Sequence, residues 1–259
     1  MKLKSKYPLI LLAATSTLLI TGTSLLASDT DSRIESAAKK SYNFKTYLKD
    51  DSIKTDSKNG AVTLTGTVAE PSHKSLAENT VESLPGVTSV DNQLKIKGES
   101  PAEHSDTWIG LKVKSALLFH RNVSAGTDVY VKDGVVSLRG EASSMAQKEL
   151  TTEHAKDVEG VKEVNNEMTV AKTPAKPGES TNEKIDDASI TAQVKSSLFS
   201  HRSTSALKTK VETTDGVVTV SGVAKNAAEK SLVTKLITDI NGVGSVINNM
   251  TIAVPVATK

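Results

Sequence analysis

The sequence contains no cysteine and very few aromatic residues. The lack of cysteine among 259 residues excludes disulfides, thiolate metal sites, cysteine nucleophiles and an N-terminal cysteine that could carry a lipid. Aromatic residues make up only 3% of the chain, so a core must be built from Val, Leu, Ile and Ala. Such a core suits several small domains better than one large domain. The overall composition, with 37% hydrophobic and 24% charged residues, is that of a globular protein.

The first 27 residues have the layout of a secretory signal peptide. Lys2, Lys4 and Lys6 form a basic start, and an apolar stretch over residues 8–20 follows that is short for a membrane span. Ala27 supplies a small residue at the expected cleavage point. We therefore predict a signal peptide at residues 1–27 and a mature protein in the periplasm. An uncleaved N-terminal anchor is the alternative.

The charge of the mature chain argues against a nucleic-acid partner. Removing the three lysines of the signal from the 32 basic residues leaves 29 basic against 30 acidic residues. A protein that binds nucleic acid is expected to carry a basic stripe, and export points away from nucleic acid as well. We expect no nucleic-acid partner.

Three copies of one sequence pattern fill the rest of the chain. A Gly-to-Gly string of seven residues is followed, 26 residues after its start, by a string that begins Gly-Val and ends in Asn. An Asp-x-x-Ile string precedes each pair. The first strings span residues 60–66, 134–140 and 216–222, the second strings span 86–92, 160–166 and 242–248, and the upstream strings span 31–34, 106–109 and 187–190.

Each copy predicts the order α-β-β-α-β. A helix follows the upstream Asp, which we expect to cap it. Asn-Gly or Asp-Gly then predicts a hairpin turn between two strands. Glycines 66, 140 and 222 fall at inward positions of the second strand, where we expect them to let a helix cross closely. The fold class predicted is α+β, with three tandem modules that each place two helices on one face of a three-stranded sheet. We call residues 31–97 module 1, residues 105–171 module 2 and residues 186–253 module 3, and we expect beads on a string that could also dock.

These strings resemble the BON family, named for bacterial osmotically induced and nodulation proteins. The marks of the resemblance are the α-β-β-α-β order, the glycine after the hairpin and the Gly-Val-x-x-Val-x-Asn string, which ends at Asn92, Asn166 and Asn248. The resemblance implies a non-enzymatic envelope protein that binds phospholipid or envelope proteins. Module 1 departs most from the pattern, because its first helix is poor in large apolar residues.

No arrangement of residues in the sequence predicts an active site, a cofactor or a metal. The five histidines do not pair at metal-ligand spacing. His120-Arg121 and His201-Arg202 occupy equivalent positions just past the first helix, and they suit either an anion contact or a basic last turn favoured by the helix dipole. Asn92, Asn166 and Asn248 are expected to hydrogen-bond to nearby backbone rather than to catalyse. We expect no enzyme activity, no cofactor and no metal.

Module 2 alone carries a second apolar stripe on its first helix. Trp108 is the only tryptophan of the chain and, at about 100° per residue, it lies on the side of the helix away from the core stripe. Modules 1 and 3 lack the stripe, so the fold does not require it. The predicted lipid-binding residues are Trp108, Leu111, Lys112, Lys114, Leu118 and Phe119.

The stripe has two interpretations. It is either an interfacial helix that inserts Trp and Leu among the headgroups of an anionic phospholipid membrane, or a face that packs on a neighbouring module. From these features we predict a periplasmic envelope-stress protein that binds phospholipid surfaces. The alternative is a protein-interaction or chaperone-like module for envelope proteins.

Overall fold

Three α+β modules follow one another along the chain in the computed structural model. The structure describes residues 23–98, 101–120, 123, 126–171, 184–204 and 209–253, with only the backbone of residues 23–28. The predicted signal peptide therefore lies, up to residue 22, outside the described residues. Among the residues that are described, no helix is both long and apolar enough to cross a membrane.

The modules share the predicted order, with an additional short helix in module 1. Module 1 comprises α1 (Thr23–Lys40), α2 (Tyr42–Thr46), β1 (Ser52–Lys58), β2 (Ala61–Val68), α3 (Pro71–Glu82), β3 (Ser89–Asn92) and β4 (Lys95–Ile96). Module 2 comprises α4 (Asp106–Leu118), β5 (Asp128–Lys132), β6 (Val135–Arg139), β7 (Glu141–Ala142), α5 (Met145–Lys156), β8 (Glu163–Asn166) and β9 (Thr169–Val170). Module 3 comprises α6 (Asp187–Ser200), β10 (Thr209–Thr214), β11 (Val217–Ala224), α7 (Ala227–Thr238), β12 (Ser245–Asn248) and β13 (Thr251–Ile252).

Each sheet is built around the second strand of its hairpin. β1 pairs antiparallel with β2, and β3 and β4 pair parallel with the other edge of β2. The final strand is thus interrupted between β3 and β4, and module 3 repeats this arrangement. In module 2 the second strand of the hairpin is interrupted as well, so that β8 pairs with β6 and β9 pairs with β7. The hairpin turns have positive φ at both central residues, 54° at Asn59 and 80° at Gly60, as a type I′ turn requires. The predicted fold class is confirmed.

The upstream aspartates anchor the hairpin turns instead of capping the helices. Asp31 lies inside α1, while Ser105 caps α4 and Asp186 caps α6, so the predicted capping role is wrong. The carboxylate of Asp106 accepts hydrogen bonds from the backbone N–H groups of Asp133 and Gly134, at 2.8 and 2.9 Å. Asp31 and Asp187 make the same pair of contacts in their own modules. These bonds lower the pKa of Asp31 from its usual value, the Gly60 N–H contributing most.

Two of the three repeated glycines, Gly66 and Gly140, have a different role from the one predicted. Gly66 and Gly140 are exposed, with φ of 118° and 128°, and Gly222 has φ of 137°. A Cβ at Gly140 would lie 2.7 Å from the carbonyl oxygen of Gly126, and one at Gly66 would collide with the carbonyl oxygen of Ser52. No helix crosses Gly66 or Gly140 closely. Both are glycines because the central strand turns there at a positive φ, close against the backbone of the first strand.

The modules dock helix against helix, with α6 of module 3 between α3 of module 1 and α4 of module 2. Ten of the 14 residues of α6 are buried, including polar residues such as Ser189 and Gln193. The buried apolar residues of modules 1 and 3 form one continuous cluster, whereas module 2 has a core of its own. The possibility that the modules dock is therefore realised, because α6 lies against α3 on one side and α4 on another.

Candidate functional site

A groove at the meeting point of the three modules contains three of the six predicted lipid-binding residues. The groove encloses about 420 Å³ and lies between α3, α4 and α6. Trp108, Leu111 and Lys112 of α4 line one side, and Phe199 of α6 lines the other. Their position follows from the docking, because the outer face of α4 in module 2 is turned towards α6 of module 3.

Lys112 lies between two aromatic rings in this groove. Its Nζ atom is 4.7 Å from the centroid of the Trp108 ring and 4.8 Å from that of Phe199. Such contacts hold an ammonium group by the negative face of each ring. The Phe199 side chain is 57% exposed, while Trp108, Leu111 and Lys112 are half-buried. The groove thus presents apolar rings and a positive charge together.

The opposite wall of the groove carries a more polar set of residues. Lys195 forms an ion pair of 2.8 Å with Glu82 of module 1, so part of its charge is compensated. Glu78 accepts a hydrogen bond of 2.9 Å from the side-chain amide of Asn92. The remaining lining contains several serines and threonines of α3, α6 and β10. This wall therefore combines hydroxyl groups with charges of both signs.

The structure separates the other predicted lipid-binding residues from the groove. Lys114 is exposed on α4 but does not line the groove. Leu118 is half-buried and packs on the shared core of modules 1 and 3. Phe119 is only 2% exposed and meets the ring of Tyr47 edge-on, with centroids 5.2 Å apart. The expectation that Phe119 borders an exposed stripe needs correction, because the end of α4 enters the junction of the modules.

Phe199 is the aromatic residue of the groove that lies outside the predicted lipid-binding set. It occupies the same repeat position as Leu118, so a signal was present: module 3 has an aromatic residue at one position of the stripe. The sequence could not indicate that docking of α4 against α6 would bring Phe199 opposite Trp108 and Lys112.

The repeated asparagines hold each final strand to the second helix of its module. The side-chain amide of Asn166 donates to the carbonyl of Lys148 and to the Thr152 hydroxyl, and its oxygen accepts from the N–H of Met168. Asn92 and Asn248 make matching bonds. The predicted structural role of these residues is confirmed.

His120 and His201 lie at the contact between modules 2 and 3. Nδ1 of His120 is 3.1 Å from Oδ2 of Asp239, and Nδ1 of His201 is 2.8 Å from Oδ2 of Asp157. Each histidine therefore binds an aspartate of the other module. Burial lowers the pKa of His120, and the hydrogen bond to Asp239 opposes that shift. The anions that these histidines meet are thus the protein's own carboxylates.

Comparison with known proteins adds a family to this geometry. The BON domain profile matches residues 30–98, 105–172 and 186–254. Osmotically-inducible protein Y of Escherichia coli (strain K12) is 37% identical over 147 residues, which cover 56% of this chain and 71% of that protein. An uncharacterized protein encoded in the gshII 5′ region of Anaplasma centrale is 28% identical over 143 residues, covering 55% of this chain and 91% of that protein.

Among solved structures, this chain aligns with the C-terminal domain of CdsD, a structural protein of the type III secretion system of Chlamydia trachomatis. The alignment covers 86% of this chain and 96% of that domain, at 17% identity and a TM-score of 0.21, which is too low to support an argument. The family assignment rests on the profile and on the Escherichia coli relative. Because the profile matches all three modules, the chain belongs to the BON domain family and carries three BON domains.

Proposed function

We propose that this chain is a non-enzymatic protein of the bacterial envelope that acts under osmotic stress and binds anionic phospholipid in the groove between its modules. The observation that carries the proposal is the position of Lys112 between the rings of Trp108 and Phe199. An ammonium group beside apolar rings is the combination that recognises a phosphate next to a glycerol backbone and acyl chains.

The size of the groove defines how a lipid would bind. A volume of about 420 Å³ lies within the range of small-molecule sites and is small for a whole phospholipid. We infer that the groove takes the phosphate and the first part of one acyl chain, while the rest of the lipid stays in the bilayer. The exposed edge of Phe199 would then face the membrane.

The cellular part of the proposal is supported by the similar proteins and by the N-terminus. The Escherichia coli relative bears the name osmotically-inducible protein Y, and this chain begins with the layout of a signal peptide. We therefore propose a periplasmic location and a role in the osmotic response. The lining of the groove, with its rings, hydroxyl groups and lysines, suits binding rather than catalysis.

Trp108 provides a direct test, since it is the only tryptophan of the chain. The emission of the mature protein should shift to the blue when vesicles containing phosphatidylglycerol are added, and much less with phosphatidylcholine vesicles. Phe199→Ala should weaken binding because it removes an exposed apolar surface from the groove.

Two neighbouring lysines give a matched control. Lys112→Glu and Lys114→Glu change the net charge equally, but only Lys112 lines the groove. At roughly 1 kcal/mol per charge near an anionic surface, Lys112→Glu should weaken vesicle binding by about 30-fold. Lys114→Glu should have a clearly smaller effect. Equal losses of vesicle affinity in the two variants would indicate unspecific attraction to the charged surface. If the protein instead binds unfolded envelope proteins and vesicles have no effect, the protein-interaction alternative is favoured.

A further inference from the structure

Three buried histidines meet where module 2 contacts module 3. His120 follows α4, His154 lies on α5 and His201 follows α6, and they are 3%, 8% and 3% exposed. The ring centroids of His120 and His154 are 4.1 Å apart, and that of His201 lies 6.0 and 5.4 Å from them. One ring nitrogen of each histidine lies within 4.8 Å of those of the other two.

Carboxylates stand behind two of these rings. Oδ2 of Asp157 is 2.8 Å from Nδ1 of His201, and Oδ2 of Asp239 is 3.1 Å from Nδ1 of His120. A histidine that binds a metal through one nitrogen usually donates its other ring N–H to a carboxylate, which fixes the tautomer and the ring orientation. The two aspartates provide this support from outside the cluster.

His201 has a nitrogen that the described protein leaves unsatisfied. With Nδ1 bound to Asp157, the other ring nitrogen, Nε2, is buried and has no hydrogen-bond partner among the described residues. A buried polar atom without a partner is uncommon in folded proteins and calls for an explanation. A bound cation would satisfy this atom.

We propose that His120, His154 and His201 bind a divalent transition-metal ion of the Zn²⁺ class at the contact between modules 2 and 3. Neutral imidazole is a preferred ligand of Zn²⁺ and of its neighbours in the first transition row. Since Zn–N bonds are about 2.0–2.1 Å long, the nitrogens need to approach one another by roughly one to two ångströms. Side-chain rotation at the module contact supplies a movement of that size.

The surroundings offer both negative charge and a route for the ion. Oδ2 of Asp239 is 3.8 Å from Nε2 of His154 as well as 3.1 Å from Nδ1 of His120, so this carboxylate places a negative charge beside the cluster. A cavity of about 740 Å³ between α5 and α7 is lined by His154, His201, Asp157 and Asp239. The ion can reach the histidines through this cavity. Because two ligands belong to module 2 and one to module 3, the ion would join the two modules.

Calorimetric titration of the chelator-treated mature chain with Zn²⁺ tests this proposal. We expect one ion per chain, and a loss of affinity of about 100-fold or more in His154→Asn and in His201→Gln, each of which removes one ligand. His104→Asn is the control, because His104 is an exposed histidine outside the cluster, and its affinity should be unchanged. Zn²⁺ should also raise the melting temperature of the wild-type chain by several degrees, and that of His154→Asn hardly at all.

A second variant keeps the test valid if a histidine variant folds poorly. Asp157→Asn leaves all three imidazoles in place and removes the carboxylate that supports His201, which also pairs with Arg202 and accepts from Ser203. Zn²⁺ affinity should fall by about 10–100-fold. Circular dichroism of each variant without metal checks that it is folded. The proposal is overturned if the wild-type chain shows no saturable binding at one ion per chain, or if His104→Asn loses as much affinity as His201→Gln.

Discussion

Module 3 contacts its two neighbours in different ways, although all three modules have one fold. Its contact with module 2 is reciprocal: His120 binds Asp239 and His201 binds Asp157, with backbone bridges from His120 to Ile240 and from Val158 to His201. The residues on the two sides are equivalent in the repeat. Modules 2 and 3 therefore pack as a pair related by an approximate two-fold axis.

The contact of module 3 with module 1 uses amides and hydroxyls instead. The side-chain amide of Asn43 donates to the Thr80 hydroxyl and to the carbonyl of Ser189, and its oxygen accepts from Nε2 of Gln193 at 2.8 Å. The N–H of Tyr42 donates to Asp186, the cap of α6. These residues have no repeat counterparts of the same type, so this contact is particular to the two modules.

The sequence explains why module 1 does not form the reciprocal contact. At the positions of His120 and His201, module 1 has Lys45, and at those of Asp157 and Asp239 it has Ser83. Lys45 lies in α2, the additional helix of this module, and α2 also brings Asn43 to α6. Because the three modules share one fold, a few residues at the helix ends determine how they dock. Substitutions at those residues therefore decide which modules pair.

Among the variants that test the two module contacts, Asn43→Ala should cause the largest loss of stability. Asn43 is fully buried, and Asn43→Ala would leave the side-chain amide of Gln193 and the Ser189 carbonyl buried without their partner. Since an unsatisfied buried group costs about 1–3 kcal/mol, we expect a loss of about 3 kcal/mol in urea unfolding. Asn165→Ala, at an exposed asparagine of β8, is the control and should be close to neutral. A neutral Asn43→Ala would mean that the contact between modules 1 and 3 does not depend on this network.

Destabilising module 2 alone should show whether modules 1 and 3 stay together without it. Gly140→Ala places a Cβ 2.7 Å from the Gly126 carbonyl oxygen at a φ of 128°, so we expect a loss of about 2 kcal/mol or more in module 2. Gly98→Ala is matched to it, since Gly98 also has a positive φ but a Cβ there would meet no atom within 4 Å. Hydrogen exchange should rise in α4 and α5 and stay slow in α3. Equal loss of protection in α3 would show that docking makes the three modules one cooperative unit.

Acid should weaken the contact between modules 2 and 3 selectively. The pKa of His154 is lowered to about 3, mainly by burial and then by the neighbouring His120 and His201. Asp239 and Asp157 oppose the shift. The unfolded chain, with an ordinary histidine pKa near 6.5, binds a proton that the folded chain excludes, so stability is full above about pH 6.5 and falls below it.

Because the folded chain excludes one proton, the free energy of unfolding of chelator-treated protein should fall by roughly 2 kcal/mol between about pH 6.5 and pH 5. His154→Gln carries no titrating group and should flatten this dependence, as measured by urea unfolding across the pH range. If the wild-type and His154→Gln curves remained parallel from pH 7 to pH 5, another group would be responsible.

Local features of the fold could be predicted from sequence, and features that depend on docking could not. The Asn-Gly and Asp-Gly turns and the asparagine bonds are set by residues close in sequence or within one module. Counting along a regular strand puts Gly66 on the inward face, but the strand turns at that residue with a φ of 118°. Phe119 and the three histidines come from helix ends far apart in sequence, so only the docked structure shows where they meet.

The ion pair at the edge of the contact between modules 1 and 3 should contribute least. Nζ of Lys195 lies 2.8 Å from Oε2 of Glu82, but the two side chains are 29% and 56% exposed, so water and salt screen the attraction. A double-mutant cycle of Lys195→Ala and Glu82→Ala should therefore give a coupling energy of about 0.5 kcal/mol, falling further in high salt. The hydrogen bonds of the Asn43 side chain join uncharged groups, so the cost of Asn43→Ala should change little with salt. A coupling energy above about 1.5 kcal/mol would show that this contact, like the one between modules 2 and 3, relies on charge in addition to its uncharged hydrogen bonds.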